Sequence, residues 1–196
     1  MHRLLPAVVE TAAAAVFLIP IFLYWKKQKF HNQKTTAAAF FFSLYLSMVY
    51  AMAGLPNITY VRFDPNFNFI PFQYFFSDRT SLLNVFLFMP LGVFLPILRS
   101  KFRNFLPTVI FGLLMSVFIE TFQIFTLRAT DINDLITNTS GTILGFFLGK
   151  LILKCFPQLV LTEEKNELKT VCLSVLMVMF FLQPFLSGFV WHLILK

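Results

Sequence analysis

Carboxylates are scarce in this chain. Nine Asp and Glu stand against sixteen Lys and Arg, and charged residues of both signs fill only 13% of 196 positions. Soluble domains carry about 25% charged residues, so this scarcity excludes an ordinary water-exposed fold. Cysteine is rarer still. Cys155 and Cys172 show no metal-ligand spacing and read as packing residues kept as thiols. His2, His31 and His192 lie far from the acidic residues, which disfavours a His-based phosphatase, a zinc site and a Ser-His triad. No cofactor or metal is therefore expected. Internal repeats are absent too, so nothing supports an inverted-repeat transporter.

What the chain has in abundance is apolar bulk: 28 Phe, 58% apolar residues and a mean hydropathy of +0.75. A helix crosses about 30 Å of hydrocarbon with about 20 apolar residues. Runs of that kind fall at about 5–25, 37–55, 82–98, 104–127, 132–153 and 169–193. The expected fold is an all-α, polytopic membrane bundle forming one domain over residues 1–196. It has about six spans, with five the alternative; the third run is short at 17 residues, so it tilts little or begins earlier. Pro184 inside the last run is tolerable where a neighbour re-satisfies the freed carbonyl. The first run reads as a retained helix, because its basic cluster KKQK follows the apolar stretch and no small-residue cleavage site ends it.

Charge placement orients the bundle. Eleven basic residues lie in or flank the loops after the first, third and fifth spans, against five on the other side (Arg3, Arg62, Arg79, Arg128 and Lys196). The positive-inside bias then places both termini outside, and the basic surplus is a topology signal, not a nucleic-acid footprint. The long loop at 56–81 faces outside under that arrangement. Rich in Phe and Tyr, it reads either as an aromatic belt and connector, or as a lid with Arg62 and Arg79 available to an anion.

A polar constellation interrupts the apolar chain between residues 118 and 150. With the fourth span ending near Leu127, Glu120 lies seven residues before its end, about 10 Å down the helix and too deep to act as a cap. An ionised acid at such depth costs a few kcal/mol unless paired or hydrated, which makes Glu120 a functional candidate. Gln123 shares its face. Asp131, Asp134, Asn138 and Gly141 step by three, four and three along one face of the fifth span, and Asn84 stands at the outer end of the third. Bland roles also exist. Asp131 suits an N-cap, Asp134 the third position of a capping box, Arg128 the negative end of a helix, and Asn138 an interhelical hydrogen bond. Gly141, Gly145 and Gly149 form a small-residue stripe for close helix packing, and Pro90 with Gly92 reads as a kink.

NFIPF before the third span, Asn84 followed by VFLFMPLG, and the series Glu120, Gln123, Arg128, Asp131, Asp134, Asn138, Gly141, Gly145 resemble the VanZ-like family of bacterial membrane proteins. The resemblance covers roughly residues 37–153 and implies that these positions, with Pro90 and Gly92, are signature residues. The founding member is associated with resistance to the lipoglycopeptide teicoplanin. The expectation is a multi-pass protein of the bacterial cell membrane with an outer-leaflet polar pocket, made by Asn84, Glu120, Gln123, Arg128, Asp131, Asp134 and Asn138. Its ligand would be a lipoglycopeptide, a lipid-linked cell-wall precursor or a phospholipid head group. The alternative is an intramembrane enzyme acting on such a lipid with Glu120 and Asp134 as proton donor and acceptor. A proton- or cation-coupled transporter is a weaker third reading, since the inner halves of these spans offer little beyond Asn104 and Ser116.

Overall fold

The computed structural model describes residues 3–28, 32–63, 65–71, 79–161 and 167–194. Among the described residues, six helices are long and apolar enough to cross a membrane: Leu4–Lys26, Gln33–Ala53, Thr80–Leu98, Phe105–Gln123, Ile132–Cys155 and Leu168–Leu193. They coincide with the six expected runs to within a few residues, and the short third run has full spanning length. Phe, Leu, Ile and Val dominate their outward faces, with Leu5, Leu23, Phe86, Leu106 and Phe189 all at least 60% exposed. Such a surface is stable against hydrocarbon, not water.

The chain divides into two compact units. The first, Met1–Val61 with Glu164–Lys196, contains α1 (Leu4–Gln28), α2 (Gln33–Ala53), α6 (Glu167–Met177), a π-helical segment (Val178–Leu182) and α7 (Gln183–Ile194). Asn32 caps α2 by accepting the Lys34 amide at 2.9 Å, and Gly54 ends it in the left-handed region at φ 61°. The last span continues through Pro184. Lacking an N–H, Pro184 cannot bond the Phe180 carbonyl one turn back. The π-helical segment ends immediately before it, and the Ile58 amide donates to the Phe180 oxygen at 3.0 Å. The donor comes from the loop after α2, and it is the kind of neighbour the sequence required.

The second unit, Arg62–Glu163, is built on α3 (Arg79–Leu98), α4 (Phe105–Gln123) and α5 (Ile132–Cys155). The glycine stripe of α5 packs on α3. A Cβ placed on Gly145 would collide with the Met89 carbonyl oxygen, and one on Gly92 with the Thr142 carbonyl oxygen. Gly92 therefore serves close helix approach, while α3 runs unbroken through Pro90 and Pro96.

Two local features differ from expectation. α4 ends at Gln123, four residues before the expected limit near Leu127. The Phe125 and Thr126 amides bond back to the Phe122 and Gln123 carbonyls in tighter turns, and Arg62 donates its amide to the Phe125 oxygen. Leu127 then turns the chain with φ 47°, a strained value for a bulky residue. Because Ile124, Phe125 and Leu127 are apolar, hydropathy alone carried the helix through this turn. The second feature is the long loop. Part of it, residue 64, residues 72–78 and the Arg79 side chain, lies outside the described residues. Within the remainder, Phe67–Asn68 form β1, paired in parallel with β2 (Thr130–Asp131) at the α4–α5 turn.

Candidate functional site

The site grows from the turn between α4 and α5. Asp131 is the N-cap of α5, as its sequence context anticipated. Its Oδ1 accepts the Asn133 amide at 2.8 Å and the Asn133 side-chain amide at 2.9 Å. Its Oδ2 accepts from the Asn68 side-chain amide at 3.1 Å, so the carboxylate also holds the loop. The Asp131 backbone amide is a further donor at this helix start. In a capping box a Glu or Gln at the third helical position takes it. Here Glu120 of α4 takes it instead, with Oε2 accepting at 2.9 Å, while the Glu120 carbonyl accepts the Thr130 hydroxyl at 3.0 Å.

This geometry corrects the sequence reading of Glu120. With α4 ending at Gln123, the acid lies only three residues from the helix end, about 4.5 Å along the axis. It is not too deep to cap; it caps the neighbouring helix. Burial is nevertheless nearly complete, at 2% exposure. Arg128, Asp131 and Asp134 all lie near enough for their charges to act on it.

The expected site residues divide by place. Glu120, Gln123 and Asn138 are buried, whereas Asn84, Arg128, Asp131 and Asp134 are half-buried. Asn138 donates its side-chain amide to the Ser116 hydroxyl at 2.9 Å, the interhelical bond foreseen for it. Among the described residues, no hydrogen bond joins Asn84 to this group. Three participants escaped the sequence reading. Asn68 and Asn133 sit among loop and cap residues that carried no helical periodicity, and Asn133 is 3% exposed, with its side chain also reaching the Ile70 carbonyl at 3.4 Å. Ser116 was read as part of the sparse inner half. A signal for Asn133 was present in principle: it is two residues past an Asp N-cap, where side chains commonly fold back on the cap.

Two buried acceptors are left over. Among the described residues, neither Glu120 Oε1 nor Asn138 Oδ1 has a hydrogen-bond partner. A buried polar atom without a partner costs about 1–3 kcal/mol, and in native proteins a water, ion or ligand group commonly satisfies it. Both atoms are acceptors, so what fits them must bring donors: hydroxyl, amide or ammonium groups. Among the described residues no three His, Cys, Asp or Glu are arranged to hold a metal ion.

Comparison with known proteins bears on the same segment. The VanZ/LLP1 family model matches residues 14–153, which contain both the glycine stripe and the Glu120–Asn138 series. The chain belongs to the VanZ/LLP1 family. Protein VanZ of Enterococcus faecium is 42% identical over 82 residues, covering 41% of this chain and 50% of that relative. The chain thus spans half the length of the curated relative it matches. No solved structure matches it. The family segment begins earlier than the resemblance at 37–153 implied, reaching back into α1. With six spanning helices and this family assignment, the chain is a VanZ-like membrane protein.

Proposed function

We propose that this VanZ-like protein binds the polar part of an amphiphile at the α4–α5 turn, in the outer leaflet of a bacterial cell membrane. The observation that carries the reading is the pair of orphaned acceptors, Glu120 Oε1 and Asn138 Oδ1. Donor-rich head groups suit them: the sugars and amines of a lipoglycopeptide, a lipid-linked cell-wall precursor or a hydroxylated phospholipid head. Arg128 at the turn supplies a cation for an anionic group, and Phe63 and Phe69, 66% and 67% exposed, supply an apolar surface beside the turn for an acyl chain. Family membership favours the lipoglycopeptide and, with it, a role in teicoplanin resistance.

Labelled teicoplanin titrated onto the purified protein in nanodiscs should bind at least about tenfold more weakly when Glu120→Ala and Asp134→Ala are combined, the loss of roughly one charge-assisted hydrogen bond. Asp134→Asn, which preserves shape, should lose part of that affinity while eluting as the wild type does. Unchanged affinity in both variants would exclude this site.

The reading also requires the turn to face outside. In a Cys155→Ser, Cys172→Ser background, cysteine at Arg128 should react with an impermeant maleimide in intact cells, and cysteine at Lys101 only after lysis. Protection at position 128 with labelling at 101 reverses the orientation and sinks the outer-leaflet site.

A further inference from the structure

A cavity lies within the first unit. It is a groove of about 370 Å³ between α1 and α2, lined by Ile19, Phe22, Leu23 and Lys26 on one side and Gln33, Thr36, Ala37 and Phe40 on the other. Each set steps by three, one and three, so each is a single helix face. The groove is graded along its length. Ile19 and Phe40 mark the apolar end; Lys26 and Gln33 mark the end nearest the connection between the helices. Seven residues of helix separate the ends, about 10 Å, the length of roughly eight methylenes. Ala37 lets the floor open where a larger side chain would close it.

The polar end is cationic. Lys26, which lines the groove, is exposed, as is Lys34, the residue after the lining Gln33; α2 has no acidic residue in its first turn, and the connection adds Lys27 and Lys29 to the local sequence. An apolar trough ending at exposed ammonium groups is complementary to a lipid with a negative head. We infer that the α1–α2 groove is a binding site for an anionic phospholipid, its phosphate at Lys26 and Lys34 and one acyl chain along Phe22, Leu23, Ala37 and Phe40. This site is independent of the amphiphile site at the α4–α5 turn, because none of its residues belongs to it.

Trp25 provides the probe, since its ring packs edge-on against Phe22 with centroids 5.5 Å apart. In a Trp191→Phe background, its fluorescence should be quenched more by dibrominated phosphatidylglycerol than by dibrominated phosphatidylcholine, with a relative binding constant of about five or more, the contribution of one lysine near the surface. Lys26→Gln with Lys34→Gln should bring that ratio close to one, whereas Lys101→Gln, in the second unit, should leave it unchanged. Ala37→Leu, which fills the groove, should reduce quenching by both lipids. Equal quenching by the two lipids in the parent protein, or a preference that survives loss of both lysines, overturns the inference. A preference lost on Lys26→Gln and Lys34→Gln, with quenching by both lipids unchanged in Ala37→Leu, reduces the site to surface charge and overturns the groove.

Discussion

Gly145→Leu will separate α3 from α5 and cost the protein about 3 kcal/mol or more, the upper range for overpacking a well-packed interior. The reason is that the obstacle is backbone. A Cβ on Gly145 meets the Met89 carbonyl oxygen and stands 3.0 Å from the Gly92 Cα, and neither atom can rotate away. α3 and α5 must part, with loss of contact along the stripe from Gly141 to Gly149, where van der Waals packing and not the hydrophobic effect holds membrane helices together. Gly188→Leu is the matched control, because nothing lies within 4 Å of a Cβ built there. Unfolding in mixed micelles, followed by circular dichroism against denaturant, should place the two variants far apart. If Gly145→Leu unfolds with Gly188→Leu, the α3–α5 contact is not what holds the second unit.

The second large effect is expected at Glu120, where two substitutions separate capping from recognition. Glu120→Ala removes the acceptor of the Asp131 amide and leaves a part-buried donor unpaired, a penalty of about 1–3 kcal/mol. The α5 start should fray, and the Asp131 amide should exchange its hydrogen about tenfold faster or more, in line with that penalty. Glu120→Gln keeps an oxygen for the amide and replaces only the second, orphaned oxygen with an NH₂ group. Its fold should match the wild type, yet it presents a donor where the bound molecule must also present one, so affinity for the amphiphile should fall about tenfold or more. Protection from hydrogen exchange and binding must diverge in Glu120→Gln and fall together in Glu120→Ala. Wild-type affinity in Glu120→Gln would leave the residue with a capping role alone.

These two positions also show how the sequence informs and where it stops. The stripe Gly141, Gly145, Gly149 announces a close helix contact, because only the absence of side chains at four-residue intervals lets backbones meet. It does not name the partner. Gly92, read first as part of a kink, is the other half of that contact. Asp131 likewise announces an N-cap through its place before an apolar helix, and the structure forms it. The position before it, Thr130, bonds the Glu120 carbonyl, and nothing in the local pattern pointed there.

By itself the sequence determined the six spans, the uninterrupted passage through Pro184, the α5 cap and the small-residue face. Each follows from a rule that acts within one or two helical turns: hydrocarbon thickness sets the run length, and the demand that every backbone group in lipid be satisfied forbids anything but helix across it. Tertiary structure alone decided that α4 stops at Gln123, that Glu120 serves the start of a different helix, and that Asn68 and Asn133 complete the cluster. Those outcomes rest on hydrogen bonds between residues 11 and 63 positions apart, Glu120 with Asp131 and Asn68 with Asp131. Hydropathy is a sum over neighbours in the chain, whereas the destination of a buried amide or carboxylate is set by whichever group the folded chain brings within about 3 Å.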